Sequence, residues 1–191
     1  LLNRALETTE IVAKALKFPK KNIKKNWRLN ERHYGALEGL NKSETAKKYG
    51  EKQVKIWRRS FDIPPPQVDI QDNRHPTNNI KFNKLDCELP SGESLKDVIL
   101  RLKPFLKRYF DYLIKNPGDH LIVAHSNSLR AIVKILDNLS NDDIIEVNIP
   151  TGVPLVYNLN NQLKVIDKKY LIDEKVLKEK KTIIENQGKI L

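Results

Sequence analysis

At 191 residues, with 39% hydrophobic and 31% charged side chains, the chain is long enough to bury a core as one domain over 1–191, and no apolar run reaches the length of a bilayer, which excludes a helical membrane protein. The net charge of +11 is spread in lysines from Lys14 to Lys189, with no basic stripe or interleaved aromatics, so it reads as a solvated exterior around a small-anion site and not as a nucleic-acid interface. A single cysteine, Cys87, excludes an internal disulfide and a cysteine metal site and fits the reducing cytoplasm.

The chain opens on Leu1 and contains no methionine, which leads to the expectation of residues upstream of Leu1. Leu2, Ala5, Leu6, Thr9, Val12, Ala13 and Leu16 recur at helical spacing and predict a helix over 2–16. A basic connector leads to "RLNERHYGALEGLNKSETAKKYG", a loop with glycines at 35, 39 and 50, in which Ser43 is the expected cap of a short helix. "EKQVKIWRRSF" predicts another helix, with Val54, Trp57 and Phe61 on one side. The prolines and asparagines of the next segment, through residue 86, predict a long excursion whose triplet Pro64–Pro65–Pro66 acts as a rigid connector.

The longest helical pattern spans 93–115 and should kink at Pro104. In "HLIVAHSNSLRAIVKIL" an apolar strand, 121–124, runs into His125, then into small polar residues, then into an amphipathic helix. A short acidic helix near 141–147, a hairpin turning at Asn160 and Asn161, and a charged amphipathic tail over 173–186 complete the chain. This alternation predicts an α/β fold, a three-layer sandwich with a mostly parallel central sheet flanked by helices.

In such folds ligands sit beyond the carboxyl ends of strands, where loops enter helix N-termini, and this places His125 in the expected crevice. Asn127 and Ser128 open the following helix, whose free amides favour an anion. A histidine at such a junction also has a purely structural use, bonding to backbone at the strand end. Arg58 and Arg59 are adjacent and suit two guanidinium forks on one oxyanion, with Arg4, Arg32 and Lys42 nearby in sequence or in the glycine-containing stretches. Glu31, between Asn30 and Arg32, is a carboxylate in positive surroundings, suited to moving a substrate proton. His75 and His120 read as solvated histidines. No spacing of histidines and acids predicts a metal site. From the residues alone the reading stops at a phosphate-handling α/β enzyme.

"RLNERHYGALEGLNKSETAKKYG", "VKIWRRSFDIPPP", "AHSNSLRAIVK", "LDNLS" and "NIPTGVPLVY", in this order, resemble the 2,3-bisphosphoglycerate-dependent phosphoglycerate mutases of the histidine phosphatase superfamily. The resemblance implies the phosphoglycerate mutase-like fold. It also implies interconversion of 3-phosphoglycerate and 2-phosphoglycerate in glycolysis and gluconeogenesis, through a phosphohistidine enzyme primed by 2,3-bisphosphoglycerate and without a metal. It implies Glu31 as proton donor and acceptor, His125 as stabiliser of the transferring phosphoryl group, and Arg4 as a contact to that group. Tyr34, Lys42, Arg58 and Arg59 would hold the substrate carboxylate and outer phosphate, with Arg32 and His33 alongside and Ser126 and Asn127 lining the pocket.

The partners it implies are small-molecule phosphoglycerates and further copies of the chain, as a homodimer or homotetramer. A C-terminal tail ending in "NQGKIL" would close over substrate.

Two departures from the family pattern shape the expectations. The Arg-His-Gly-Glu motif that carries the family's phosphorylated histidine does not occur in these residues, so the 191 residues alone are not expected to fold stably or to turn over substrate. Ser126 stands where the family usually has glycine, which strains the chain only if a positive φ is required there. A noncatalytic phosphate-binding remnant or phosphatase-like homologue is the second reading, and a nucleic-acid-binding protein, supported by charge alone, is the third.

Overall fold

The computed structural model describes residues 1–82 and 84–186, without the side chains of Lys42, Glu185 and Asn186. Helix α1, Asn3–Ala15, follows the apolar repeat of the sequence and ends where Lys17 takes a positive φ of 54°. Only Ala13 of this helix is buried, and Ile11 and Leu16 are 70% and 67% exposed. Helix α2, Lys42–Tyr49, is capped by Asn41, whose side chain accepts from the amides of Ser43 at 2.9 Å and Glu44 at 3.4 Å. The cap expected at Ser43 therefore belongs to Asn41: its oxygen reaches two orphan amides of the first turn, and Ser43 already lies inside the helix.

Gly50, at φ 83°, turns the chain directly into helix α3, Glu51–Arg59, where Trp57 meets Tyr49 edge-on at 5.4 Å. Residues 60–82 and 84–92 belong to the long excursion, ordered by turns and by a 3₁₀ turn at Pro76–Asn78. Its proline connector is anchored where Ala36 N–H donates to the Pro66 carbonyl at 2.8 Å. A β-carbon on Gly35, whose φ is +58°, would lie 2.1 Å from that same oxygen, so this contact requires glycine. His75 corrects the solvated reading. It is 2% exposed, its Nδ1 pairs with the Thr77 hydroxyl and its Nε2 with the Ser91 hydroxyl at 3.0 Å, because the excursion folds back over it. His120 is exposed, as expected.

Helix α4, Leu95–Lys115, starts with a reciprocal capping box between Ser94 and Asp97 and continues through Pro104. The proline sits on the exposed face, so the carbonyl that its missing N–H leaves unpaired faces solvent. Leu95, Val98, Leu102 and Leu106, at i, i+3, i+4 spacing, form the buried face and pack on Ala131 and Ile132 of helix α5, Ser126–Leu136, and on Ile144 of the short helix α6, Asp143–Glu146.

The only strands among the described residues are β1, Leu155–Leu159, and β2, Val165–Tyr170, an antiparallel hairpin closed by the Asn160 side chain, which accepts from the amides of Gln162 and Lys164 at 2.9 Å. Asp137, just past α5, ties the hairpin down by accepting from the Tyr157 hydroxyl at 3.1 Å and the Lys168 ammonium at 2.5 Å. Helix α7, Glu174–Asn186, follows, and the tail "QGKIL" after it lies outside the described residues.

The mostly parallel central sheet is not formed among the described residues. Among the described residues, 121–124 form no strand: no backbone hydrogen bond there joins them to another segment, and Leu121 is 61% exposed. A strand exists only through a neighbour's ladder, and among the described residues no second extended segment pairs with this one.

Candidate active site

The segment 28–34 lies between α4 and the N-terminus of α5 and has little secondary structure of its own. It is held by side chains from elsewhere. The Ser128 hydroxyl donates to the Asn30 carbonyl at 2.5 Å, and Arg101 of α4 donates through Nη2 to the carbonyls of Asn30 at 2.9 Å and Glu31 at 3.3 Å. Glu31 thereby sits against the start of α5. Its Oε1 accepts from the Arg32 amide at 2.8 Å and from the Asn127 amide at 3.3 Å, the latter one of the free N–H groups of that helix end.

Arg32 is 1% exposed. Its Nη2 donates to the carbonyls of Trp57 at 3.2 Å and Arg58 at 2.8 Å, so this guanidinium closes the C-terminus of α3 and brings Arg58 and Arg59 beside Glu31. The Tyr34 ring lies under both Arg32 and Arg58, whose guanidinium carbons are 4.7 and 4.9 Å from its centre. The Tyr34 hydroxyl accepts from Asn127 Nδ2 at 3.0 Å, and Arg59 Nη1 donates to Asn148 Oδ1 at 2.8 Å.

A cavity of about 1060 Å³ opens over this cluster. Arg4, Glu31, Arg32, Tyr34, Arg58 and Arg59 line it, as do His33, Ser126 and Asn127. His125 is not part of that wall. It caps α5 from just behind, and its buried Nε2 has no hydrogen-bond partner among the described residues. Burial pushes its pKa below the ordinary 6.5, the Glu31 carboxylate pulls it back up, and Arg4 pushes it down again, so the imidazole is neutral at neutral pH.

His33 faces the cavity with its ring engaged: Gly35 N–H donates to Nδ1 at 3.1 Å, which leaves Nε2–H to donate to the Arg74 carbonyl at 3.2 Å. Lys42 begins α2, but its side chain lies outside the described residues. Ser126 lies in the first turn of α5 and is not among the residues of positive φ, so the strain that would call for glycine does not arise.

Arg130 belongs to this wall and was not singled out from the sequence. It is 4% exposed, donating to Asn127 Oδ1 at 3.0 Å and to the Ile144 carbonyl at 2.5 Å. Burial, then the charges of Arg59 and Arg32, lower its pKa to about 10, so it stays charged at neutral pH. The available signal was an arginine inside the apolar run "LRAIV", three residues after Asn127 and one turn along the same helix face. Asn148, Glu93 and Arg101 also line the cavity and were missed, since each comes from a distant segment whose pattern reads as ordinary surface.

The wall thus gathers Arg32, Arg58, Arg59 and Arg130 beside Glu31, with buried Nε atoms of Arg32, Arg58 and Arg130 unpaired among the described residues. Such a wall suits an anion of high charge, because oxyanions satisfy guanidinium forks that the protein leaves open. No group of histidines, cysteines and acids suited to a metal ion occurs among the described residues.

A profile of the histidine phosphatase superfamily (branch 1) matches residues 1–75 and 67–168. The 2,3-bisphosphoglycerate-dependent phosphoglycerate mutase of Borreliella afzelii (strain PKo) is 50% identical over 194 residues, covering 100% of this chain and 77% of that protein. The protein of the same name from Hydrogenobaculum sp. (strain Y04AAS1) is 46% identical over 189 residues, covering 98% of this chain and 76% of its own length. Among solved structures, a mycobacterial glucosyl-3-phosphoglycerate phosphatase superposes with a TM-score of 0.58 at 17% identity over 90% of this chain and 72% of that one, a likeness of fold.

Proposed function

Because the chain belongs to the histidine phosphatase superfamily, and within it to the 2,3-bisphosphoglycerate-dependent phosphoglycerate mutases, we propose that the arginine-walled cavity is the site where 3-phosphoglycerate and 2-phosphoglycerate are interconverted. The reaction is an isomerisation in glycolysis and gluconeogenesis, and the reading as a noncatalytic remnant is not favoured beside relatives this similar. The observation that carries the assignment of the site is the convergence of Glu31 with Arg32, Arg58, Arg59 and Arg130 on one cavity.

Both amide bonds to Glu31 fall on Oε1, which fixes the carboxylate and leaves Oε2 to take or return a substrate hydroxyl proton. Arg58 and Arg59 hold the carboxylate and outer phosphate of the substrate as paired forks, with Tyr34 beside them; the same role is proposed for Lys42, whose side chain lies outside the described residues. Arg32 adds charge from behind and His33 shapes the rim. Neutral His125, just behind the wall with Arg4 and Ser126 near it, is the group assigned to the transferring phosphoryl oxygens, and its buried Nε2, without a partner among the described residues, is the atom available to them.

The unpaired guanidinium nitrogens of the wall fit a bisphosphate, and 2,3-bisphosphoglycerate supplies, when bound, the phosphoryl group that primes the enzyme. Transfer through a loose transition state needs mainly positioning and positive charge, which this wall provides without a metal.

Membership also supports the finer reading of the fold as one domain, a three-layer sandwich with a mostly parallel sheet. No helix among the described residues is long and apolar enough to cross a membrane. Replacing Glu31 by Gln in the complete gene product should lower mutase turnover by about 10²–10⁴-fold with an unchanged melting transition. Undiminished turnover in that variant removes Glu31 from the chemistry.

A further inference from the structure

Glu31 stands on a segment with almost no regular structure, yet a proton-transfer group must be held within a fraction of an ångström. The segment's own backbone does little of this. Among the described residues Trp27–Leu29 is a single 3₁₀ turn, and Asn30 to Tyr34 make no ladder. What holds it is a nearly dry ion pair from α4 and its leading loop. Arg101 Nε donates to Glu93 Oε1 at 2.5 Å, and the two side chains are 10% and 3% exposed.

Every nitrogen of that guanidinium is in use. Nη1 donates to the Arg28 carbonyl, and Nη2 to the carbonyls of Asn30 and Glu31 and to Glu93 Oε2 at 3.2 Å. Glu93 completes the loop from its other side: its Oε2 accepts from the His33 amide at 2.9 Å, and its own amide donates to the His33 carbonyl at 2.8 Å. The Trp27 ring lies 5.8 Å from the Arg101 guanidinium carbon and closes one flank. Backbone atoms on both sides of Glu31, at 28, 30, 31 and 33, are thus pinned to one ion pair anchored on the longest helix.

We propose that the Arg101–Glu93 pair is a positioning clamp that sets where the Glu31 carboxylate stands in the cavity. Arg101 has no nitrogen free for substrate, so it acts through Glu31. The pair is arranged to resist removal of either member, since truncating one leaves the other as an uncompensated buried charge. The clamp rests on the reading of Glu31 as the acid–base group, and its test separates the two.

In the complete gene product, kcat and KM for 3-phosphoglycerate are compared for Arg101→Gln, Glu31→Gln and the double variant. Arg101→Gln should lower kcat about 10–100-fold, the size expected when a reacting group shifts by about an ångström, with KM held within about threefold. On the Glu31→Gln background the same change should cost less than about threefold, because the two act through one group. An equal loss on both backgrounds, or an unchanged kcat, overturns the clamp. If Glu31→Gln alone retains full turnover, the acid–base reading is what has failed, and the clamp falls with it. Should Arg101→Gln not fold, Arg101→Lys is read instead. It keeps the charge and loses the fork, and a native kcat in that variant overturns the proposal.

Discussion

Arg130→Met separates the two uses a buried arginine can have, packing and charge. Methionine keeps most of the stem volume and removes the cation. The native guanidinium donates to Asn127 Oδ1 at 3.0 Å and the Ile144 carbonyl at 2.5 Å, and leaving those acceptors unpaired costs about 1–3 kcal/mol each. Against this, the fall of the Arg130 pKa from the ordinary arginine value to about 10, caused first by burial and then by Arg59 and Arg32, corresponds to roughly 3 kcal/mol of charge cost that the variant no longer bears. That cost is present at every pH below about 10, so it applies in full at neutral pH.

The opposing effects are of similar size, and the melting temperature without ligand should move by no more than about 10 °C. Ligand stabilisation should behave differently. At a 3-phosphoglycerate concentration about 100 times the native Kd, binding stabilises the native protein by ~2.7 kcal/mol, or about 5–10 °C for a chain of this size. A tenfold loss of affinity reduces this to ~1.4 kcal/mol, about 3–6 °C. Thermal melts of both proteins with and without 3-phosphoglycerate read the difference directly. A native-sized ligand shift in the variant refutes the view that the Arg130 charge serves substrate. A fall of more than about 10 °C without ligand refutes the near-cancellation.

Arg58→Ala or Arg59→Ala should each raise KM for 3-phosphoglycerate at least about tenfold with a smaller change in kcat. A collapsed melting transition in steady-state-matched buffer would instead make the pair structural; the bond of Arg32 to the Arg58 carbonyl survives Arg58→Ala, whereas Arg59→Ala loses the bond to Asn148. The buried His125 has a folded pKa below its unfolded value of 6.5, so the unfolded chain binds the extra proton first as pH falls. Stability should therefore decline as pH drops below about 6.5 and level off once the folded pKa is passed. His75, also buried, titrates in the same direction, so urea unfolding of His125→Gln beside the native protein isolates the contribution of His125, and identical pH slopes would refute it.

Much of the helical order was legible because it rests on local periodicity. The apolar stripe of α4 predicts its own buried face, and the sequence around Asn160 predicts the hairpin turn. The cap was a local miss: the Asn41 side chain, not that of Ser43, reaches the amides of the first turn. The other misses share a cause: partners far away in the chain. His75 looked solvated because nothing local reveals that Ser91 and Thr77 close over it. Residues 121–124 have the composition of a strand, but a ladder needs a second chain segment.

The site divides the same way. Chemistry-bearing residue types were visible in "NERHYG", "WRRS" and "AHSNS", because an acid beside arginines or a histidine at a helix entrance is a local pattern. Arg130 was hidden by its apolar helix. Glu93 and Arg101 resembled ordinary helix-surface charges until the segment carrying Glu31 was seen to hang from them. The sequence by itself determined which groups are available and which helices carry them, since propensity, capping and periodicity act over a few residues. Only the tertiary structure decided that Arg32, Arg58, Arg59 and Arg130 share a wall with Glu31: burying like charges together is unfavourable locally and is sustained by packing, helix-end carbonyls and the anion they face.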